Sequence, residues 1–597
     1  MDVTRENFYT ILPNLKRALS DAEFITIDFE FTGLTSGGRD LEPMPFDTPR
    51  QYYEKLHQKA LDFLPLQLGL CIFQYDASEN KYTYQAYNFF IFPFSKLKGF
   101  PNSTFLCQSS SVAFLSSCGF DFNKAFGAGI PFLTQPEEDK LKLSIKDRQQ
   151  KIVRENQKDS FDVSVPEDLK IVFQSNMKKI KEFLEDTSEK KADSFILDRC
   201  NRFMRRLLYQ EVPKEFGDTV YLETCDDSDM TMMIMRGGGE EFKKLREEEK
   251  KKNEWKEFEE AVGLSHLIKA IAESGKLIVA HNCLLDICHL VHRFRYPLPP
   301  NYDEFKEIVH HIFPRIIDTK FMAFEQQFKD LISAGSLGQL LDTVSTAPFE
   351  MPKIEGNVEG HSYNNLVDKS HEGGYDAFIT GQCFLAMSQY LAKDQGIKFS
   401  NIGSIKEILS QIENRLYLMK IQDIRYLLLG GPDVKPPRNH VFHLRFPREW
   451  KQYDIVELFK PYGPVFISFI DERSAYVALH KRDQAKFVMK SLTGNDFYKL
   501  TSFGAYQKQI ERKSPPLAQP ASPSLDLVRK RKLRDSTDGA SASPDVFKKH
   551  RSLDQPKRSI DPIPEETEVD NIGSSDHTST ENQSLAPKEF AESEVWG

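Results

Sequence analysis

Three apolar stretches of this sequence carry carboxylates where a folded core would exclude them, and in the last a histidine stands five residues before the acid. In FITIDFEFTGL, residues 24–34, Asp28 and Glu30 interrupt a strand-like run. Alternation puts Phe24, Thr26, Asp28 and Glu30 on one face and Ile25, Ile27, Phe29 and Phe31 on the other, with the acids' α-carbons about 7 Å apart. In KLIVAHNCLLDICHLVHRF a strand runs into a helix, and Asp286 breaks the apolar series Leu284, Leu285, Ile287, Leu290 and Val291. In HEGGYDAFITGQCFLAM, His371 precedes Asp376 by five residues near a helix start, with Gly373 and Gly374 allowing an open turn between them. Each piece alone has a plainer reading: solvated acids on an edge strand, a helix acid facing water or pairing with Arg293, an N-terminal helix acid beside a loop histidine. Buried carboxylates without a partner are costly, however, and four of them on buried-looking elements suit hard divalent cations such as Mg²⁺. Two such ions about 4 Å apart can hold an attacking water and a leaving oxygen on opposite sides of a phosphate. His371, with an ordinary pKa near neutrality, suits removal of that water's proton from a loop that closes over substrate.

These residues need a sheet and flanking helices to bring them together. The runs LPLQLGLCIFQY (64–75) and KYTYQAYNFFIF (81–92), separated by DASEN, predict a hairpin continuing the sheet begun at Phe24. Leu169, Val172, Phe173, Met177, Ile180 and Leu184 recur at helical spacing, and strand candidates TVYLET and MTMMIMR follow. That group reads as a small insert, followed by the charge-dense EEFKKLREEEKKKNEWKEFEE, a solvated helix or linker. From Leu264 the helix, strand, helix pattern of an α/β sheet domain returns. After the breaker run GGPDVKPPRN, the segments HVFHLRF, IVELFKPYG, VFISFI and SAYVAL give strand, helix, strand, strand. The fold expected is α/β, an interrupted mixed sheet flanked by helices, then a small α+β domain and a tail. The expected divisions are 1–165 and 241–430 for the split sheet domain, 166–240 for the insert, 438–505 for the small domain and 506–597 for the tail.

At 597 residues the chain is too long for a single core. Its 79 basic and 88 acidic residues, net −9, exclude a polycation, so any nucleic-acid contact must come from local basic patches. Eight cysteines without CxxC spacing suit a reducing compartment; MDVTRENFYT lacks a secretory pattern, and no apolar run is long enough to span a membrane. The tail, poor in aromatics, cannot bury enough apolar surface to fold alone. Within it RKRKLR (529–534) and KKHR (548–551) read either as a bipartite nuclear address or as a solvated charge run. Two features are set aside: Asp318 in RIIDTK reads as the cap of the next helix, and His310 and His311 lack zinc-like spacing.

The motifs DFE, HNCLLD and HEGGYDA resemble the DEDD exonucleases of the subtype with a histidine five residues before the last aspartate. With LPLQLGLCIF, FLCQSSS, GFDFNK and LIVAHN in the same order, residues 1–505 are similar to the deadenylase branch of that superfamily. The resemblance implies a ribonuclease H-like exonuclease fold, Asp28, Glu30, Asp286 and Asp376 as ligands of two Mg²⁺ ions, and His371 as general base. It implies that Phe31, Leu34, Asn282 and Lys320 lie along the path of the 3′ adenosines, although each also suits packing or surface. It further implies a 3′ exoribonuclease that removes poly(A) from mRNA and releases 5′-AMP, acting as a homodimer in nucleus and cytoplasm. The unit at 438–505 resembles an RNA-recognition motif in which only Tyr476 keeps a clear aromatic in ERSAYVAL. In the family this module contributes to 5′ cap binding through an exposed aromatic, usually Trp; Phe469 stands there, a poorer surface for a cationic purine, or else a core residue. The insert resembles a single-strand-binding domain named for an Arg-xxx-His pattern, with Arg205 in place and Tyr209 where His is expected; Arg202, Arg206 and Tyr209 share a helical face. Two other readings stay open: a catalytically silent RNA-binding adaptor on the same fold, and a DNA 3′ exonuclease of the same superfamily.

Overall fold

The strand Phe24–Phe31 forms as alternation predicts and lies inside a mixed sheet. The strand order is Asp2–Val3, Lys81–Phe90, Pro65–Asp76, Phe24–Phe31, Leu277–Ala280, Ile316–Asp318, with Ile354–Gly356 also paired to Lys81–Phe90. The expected hairpin is present: Pro65–Asp76 and Lys81–Phe90 run antiparallel from Asp76 opposite Lys81. On one side Phe24–Phe31 pairs antiparallel with Pro65–Asp76, which sets Asp28 opposite Gly69 and Glu30 opposite Gln67. On the other it pairs parallel with Leu277–Ala280, from Phe24 to Thr26. This computed structural model describes residues 1–35, 42–155, 163–186, 192–197, 200–224, 231–333, 335–356, 360–363, 369–493 and 495–513. All fall within one compact unit, Met1–Leu525.

The two faces of the sheet do different work. Ile25, Ile27, Phe29 and Phe31 join Leu66, Leu68 and Leu70 in a core shared with the helices Phe8–Asp21, Ser265–Ser274, Leu284–Phe294 and Tyr302–Ile312. The other face, through Phe24, Cys71 and Phe73, packs under the helix Gly373–Asp394. That helix is buried almost throughout, as an all-round apolar sequence requires. It can lie so close only because of glycine: a Cβ on Gly69 would stand 1.9 Å from the carbonyl carbon of Gly373, and one on Gly381 would stand 2.3 Å from the Phe73 ring. The sequence reading made Gly373 and Gly374 an open turn; instead they form the helix's own first turn, pressed against the sheet.

In the insert, helices Lys170–Glu185 and Arg202–Phe216 pack on a three-stranded antiparallel sheet ordered Ser194–Leu197, Met232–Arg236, Val220–Thr224. The first of these strands was not expected from the sequence. Arg205 is buried while Arg202, Arg206 and Tyr209 stay exposed, and the Tyr209 hydroxyl bonds Thr224. The charge-dense segment is one helix, Glu240–Val262, whose Trp255 and Phe258 pack with Leu141 and Ile145 of the helix Gln135–Glu155.

The small domain has the strand order Val465–Asp471, Ser474–Leu479, Val441–Arg445, Lys499–Ser502, with helices Gln452–Phe459 and Ala485–Leu492. Its structure runs past the expected boundary at 505: a helix spans Phe503–Lys513. Tyr506 of this helix stacks on His443, with ring centroids 3.5 Å apart and planes at 13°. Gln507 donates to the Tyr476 hydroxyl, and Phe46 meets the Tyr476 ring edge to face. The basic clusters at 529–534 and 548–551 lie outside the described residues.

Because the atoms that a Gly69 Cβ would meet are backbone, Gly69→Ala must part the strand from the helix. It is expected to destabilise the protein by about 2–3 kcal/mol in urea unfolding, in the range of overpacked cores. Gly338→Ala, where nothing lies within 4 Å, is the control that should show no loss.

Candidate active site

Strand alternation and two helix starts bring the predicted residues together. Asp28 and Glu30 leave the strand on the face that the Gly373–Asp394 helix covers; on that same face the Thr26 hydroxyl donates to the Ala377 carbonyl at 2.6 Å. Asp376 lies in the first turn of this helix, and its Oδ2 accepts the His371 N–H at 2.9 Å. Ligand atoms of Glu30, His371 and Asp376 all lie within 4.8 Å of one another. Asp286 arrives from the first turn of Leu284–Phe294, and its Oδ1 accepts the Phe29 N–H, between the two strand acids, at 3.1 Å. Arg293, its possible sequence partner, turns away to the carbonyls of Leu61 and Phe63.

The electrostatics of the cluster are one-sided. Burial first, then Asp376, Asp286 and Glu30, push the Asp28 carboxyl well above its ordinary range. Burial, Asp376 and Asp286 do the same to Glu30. Asp286 is pushed up to about 7, chiefly by burial and also by Asp318, against the lowering effect of the backbone N–H bonds it accepts. A buried all-oxygen set in which Asp376 and Asp286 push up the carboxyls of Asp28 and Glu30 matches what a hard divalent cation requires. Asp28, Glu30, Asp286 and Asp376 are therefore the residues that could hold such ions, with His371 on the exposed side.

The other predicted positions separate. Phe31 is only 7% exposed and packs against Phe29 and the His289 ring, because the alternation that aims Glu30 at the site aims Phe31 into the opposite core. Leu34 is 55% exposed, and its N–H donates to Gln108. Asn282 adopts φ +54° in the turn before Cys283, and its N–H donates to Asp318. The Lys320 ammonium donates to the Gly335 carbonyl. Phe469, on the strand Val465–Asp471, is 43% exposed and meets Phe446 edge to face, so it is not a core residue. Asp318 caps the helix Thr319–Met322 as expected and also accepts N–H groups from Cys283 and Tyr417, which ties down the turn leading to Asp286.

Sequence reasoning missed four residues. Phe114 sets its half-exposed ring edge to face against His371 at 4.7 Å; it lies three residues beyond the motif FLCQSSS, and nothing local points at the histidine. Gln67 and Asn88 reach across the sheet to the first turn of the Gly373–Asp394 helix, and Glu372 precedes that turn. For Gln67 and Asn88 the only sequence signal is a polar residue inside a strand, whereas Glu372 lies within the motif HEGGYDA beside His371.

A carboxyl with a higher pKa folded than unfolded lowers stability. The loss is absent below the unfolded pKa, where both states hold the proton, and complete above the folded one. Metal-free protein is therefore expected to melt progressively lower, relative to Asp28→Asn, as pH rises above the ordinary aspartate pKa of about 4, with Mg²⁺ reversing the loss. Parallel melting curves for wild type and variant across that range would contradict the shifts.

Residues 3–384 match the CAF1 family ribonucleases, and residues 431–509 match a family described as RNA binding domain. The chain is 38% identical over 530 residues to the poly(A)-specific ribonuclease PARN of Homo sapiens, covering 86% of this chain and 82% of that protein. It is 38% identical over 521 residues to PARN of Danio rerio, covering 86% and 78%. It is 25% identical over 525 residues to the pre-piRNA 3′-exonuclease trimmer of Bombyx mori, covering 85% and 94%. CAF1 enzymes depend on divalent metal, which accords with the carboxylate cluster. By this breadth of match the chain belongs to the CAF1 family of ribonucleases and, within it, to the poly(A)-specific ribonucleases.

Proposed function

We propose that the protein is a 3′ exoribonuclease that shortens poly(A) tails of mRNA and releases 5′-AMP, with Mg²⁺ as its metal. The observation that carries this reading is the convergence of Glu30, His371 and Asp376 beside Asp28 and Asp286, four acids and a base drawn from distant parts of the chain. Asp28, Glu30, Asp286 and Asp376 would hold two divalent ions, which when bound supply Lewis-acid polarisation of the scissile phosphate and lower the pKa of the attacking water. His371, on the exposed side and braced by Phe114, takes the proton of that water as it attacks the terminal phosphodiester. The bond to the 3′ oxygen of the preceding nucleotide breaks, and that oxygen leaves on the shortened strand with a proton from solvent. Phe31, Leu34, Asn282 and Lys320 are candidate contacts for the last nucleotides, a reading supported by the resemblance alone. Lys320 offers a cation for phosphate once its bond to the Gly335 carbonyl opens.

An edge aromatic such as Phe469 supports a cap contact, and the basic clusters RKRKLR and KKHR support passage to the nucleus as well as residence in the cytoplasm. The family supports a homodimer. A silent adaptor is disfavoured because all five site residues are present together.

Asp28→Ala, Asp286→Ala and His371→Ala should each lower release of 5′-AMP from oligo(A) by at least about 100-fold with the fold retained by circular dichroism. Full activity of either aspartate variant would refute the site. Chelation should abolish turnover of wild type, whereas stable binding without shortening in Mg²⁺ would favour the adaptor. Equal rates on DNA and RNA oligomers would favour the DNA exonuclease. Separately, Phe469→Ala should remove any stimulation by a 5′ cap and Phe469→Trp should increase it, read by cap-analogue titration; no change in either variant would place cap contact elsewhere.

A further inference from the structure

The helix that carries Asp376 begins without a cap from its own preceding residue: Glu372 makes no side-chain bond to the helix's first N–H groups. Two strand residues do that work instead. Gln67 Oε1 accepts the Gly373 N–H at 2.8 Å, and Asn88 Oδ1 accepts the Gly374 N–H at 2.7 Å. Both amides are deeply buried, at 2% and 1% exposed. The Glu372 carboxylate turns back into this arrangement. Its Oε1 accepts from Asn88 Nδ2 at 2.6 Å and from the Tyr363 hydroxyl at 2.7 Å.

Glu372 is therefore held from both ends. Its side chain is gripped by Asn88 and Tyr363, and its carbonyl accepts the N–H of Asp376 at 3.0 Å. On one side of it lies His371, whose backbone sits at φ +69°, a left-handed conformation that residues other than glycine keep only when their surroundings impose it. On the other side lies the turn bearing Asp376, whose Oδ2 accepts the His371 N–H. The position of Glu372 thus sets the positions of both its neighbours in the site.

We propose that Glu372 is a positioning residue of the hydrolytic reaction. Clamped by Asn88 and Tyr363 through a single oxygen, it holds the His371 backbone in its left-handed turn and registers His371 against Asp376. This rests on the reading of His371 as the base. The requirement is for an acceptor at Oε1: among the described residues Glu372 pairs through Oε2 with the exposed Lys369 at 3.4 Å, and the Met1 ammonium and Lys124 feel its charge without a direct bond.

The test is steady-state hydrolysis of oligo(A) by the full chain at saturating Mg²⁺. Glu372→Ala should lower kcat by about 10- to 100-fold, as expected when support for a reacting group is lost, with KM held within about twofold. Glu372→Gln, which keeps the Oε1 acceptor, should recover kcat to within about threefold of wild type. Asn88→Ala combined with Glu372→Ala should be no worse than the poorer single variant, because the two act as one unit. Should Glu372→Ala not fold, Tyr363→Phe removes one donor without leaving a cavity and should lower kcat by about three- to tenfold. Wild-type kcat in Glu372→Ala or Tyr363→Phe, a loss confined to KM, or a Glu372→Gln variant as poor as the alanine would each overturn the proposal. His371→Ala, assayed alongside, separates the two ideas: if it stays fully active the base assignment fails, whereas if it is inactive and Glu372→Ala is normal only the positioning role fails.

Discussion

The structure depends on holding mutually repelling carboxylates in one place. Two unit charges 4 Å apart repel by about 4 kcal/mol at the dielectric typical near a protein surface, and Asp28, Glu30, Asp286 and Asp376 each contribute to such repulsion. Left free, the elements that carry them would separate. Each is instead pinned by an apolar partner surface: the strand by Ile25, Ile27 and Phe29 on its far face, the Leu284–Phe294 helix by the same core, and the Gly373–Asp394 helix by near-complete burial. The rigidity of the core is what allows the acids to face one another, and cation binding relieves a repulsion that the fold has already imposed.

That arrangement requires backbones to approach more closely than side chains normally allow. Gly69 stands opposite Asp28 in the ladder, and its missing Cβ is the space that the carbonyl of Gly373 fills. A helix N-terminus brought so near the sheet adds a partial positive charge beside the acids. The same closeness would bury the first helical N–H groups without partners were it not for Gln67 and Asn88. Glycine at the contact and amides at the strand positions around it are one solution to one steric demand.

Much of this was legible because it follows from periodicity. The two-residue alternation of FITIDFEF separates the acids from the core and also places Phe31 in that core. Asp318 read correctly as a cap because the cap is local, two residues from its acceptor contact with the Lys320 N–H. The illegible features are non-local. Gln67 lies 306 residues from Gly373 and Asn88 lies 286 from Gly374. Either amide could as well be a strand residue facing water. The short strand Ser194–Leu197 has too few residues for alternation to register. The helix Phe503–Lys513 is polar over most of its surface and owes its place to a few aromatic contacts, so composition alone sent residues 506–513 to the tail.

Those contacts bear on how RNA reaches the catalytic cleft. In a typical RNA-recognition motif, aromatic rings on the two central strands stack bases. Here the corresponding strands Val441–Arg445 and Ser474–Leu479 carry His443 and Tyr476, and both rings are already engaged, the first by Tyr506 and the second by Phe46 and Phe503. Stacking on an aromatic is worth about 1–3 kcal/mol per base, so an incoming base would gain from each ring little more than the protein already has there. It would also have to break the Gln507 bonds to Tyr476 and Gln51. The middle of this sheet therefore serves as an internal joint between the small domain and residues 44–51 of the nuclease body, with its edge strand, where Phe469 stands half-exposed, left open to solvent.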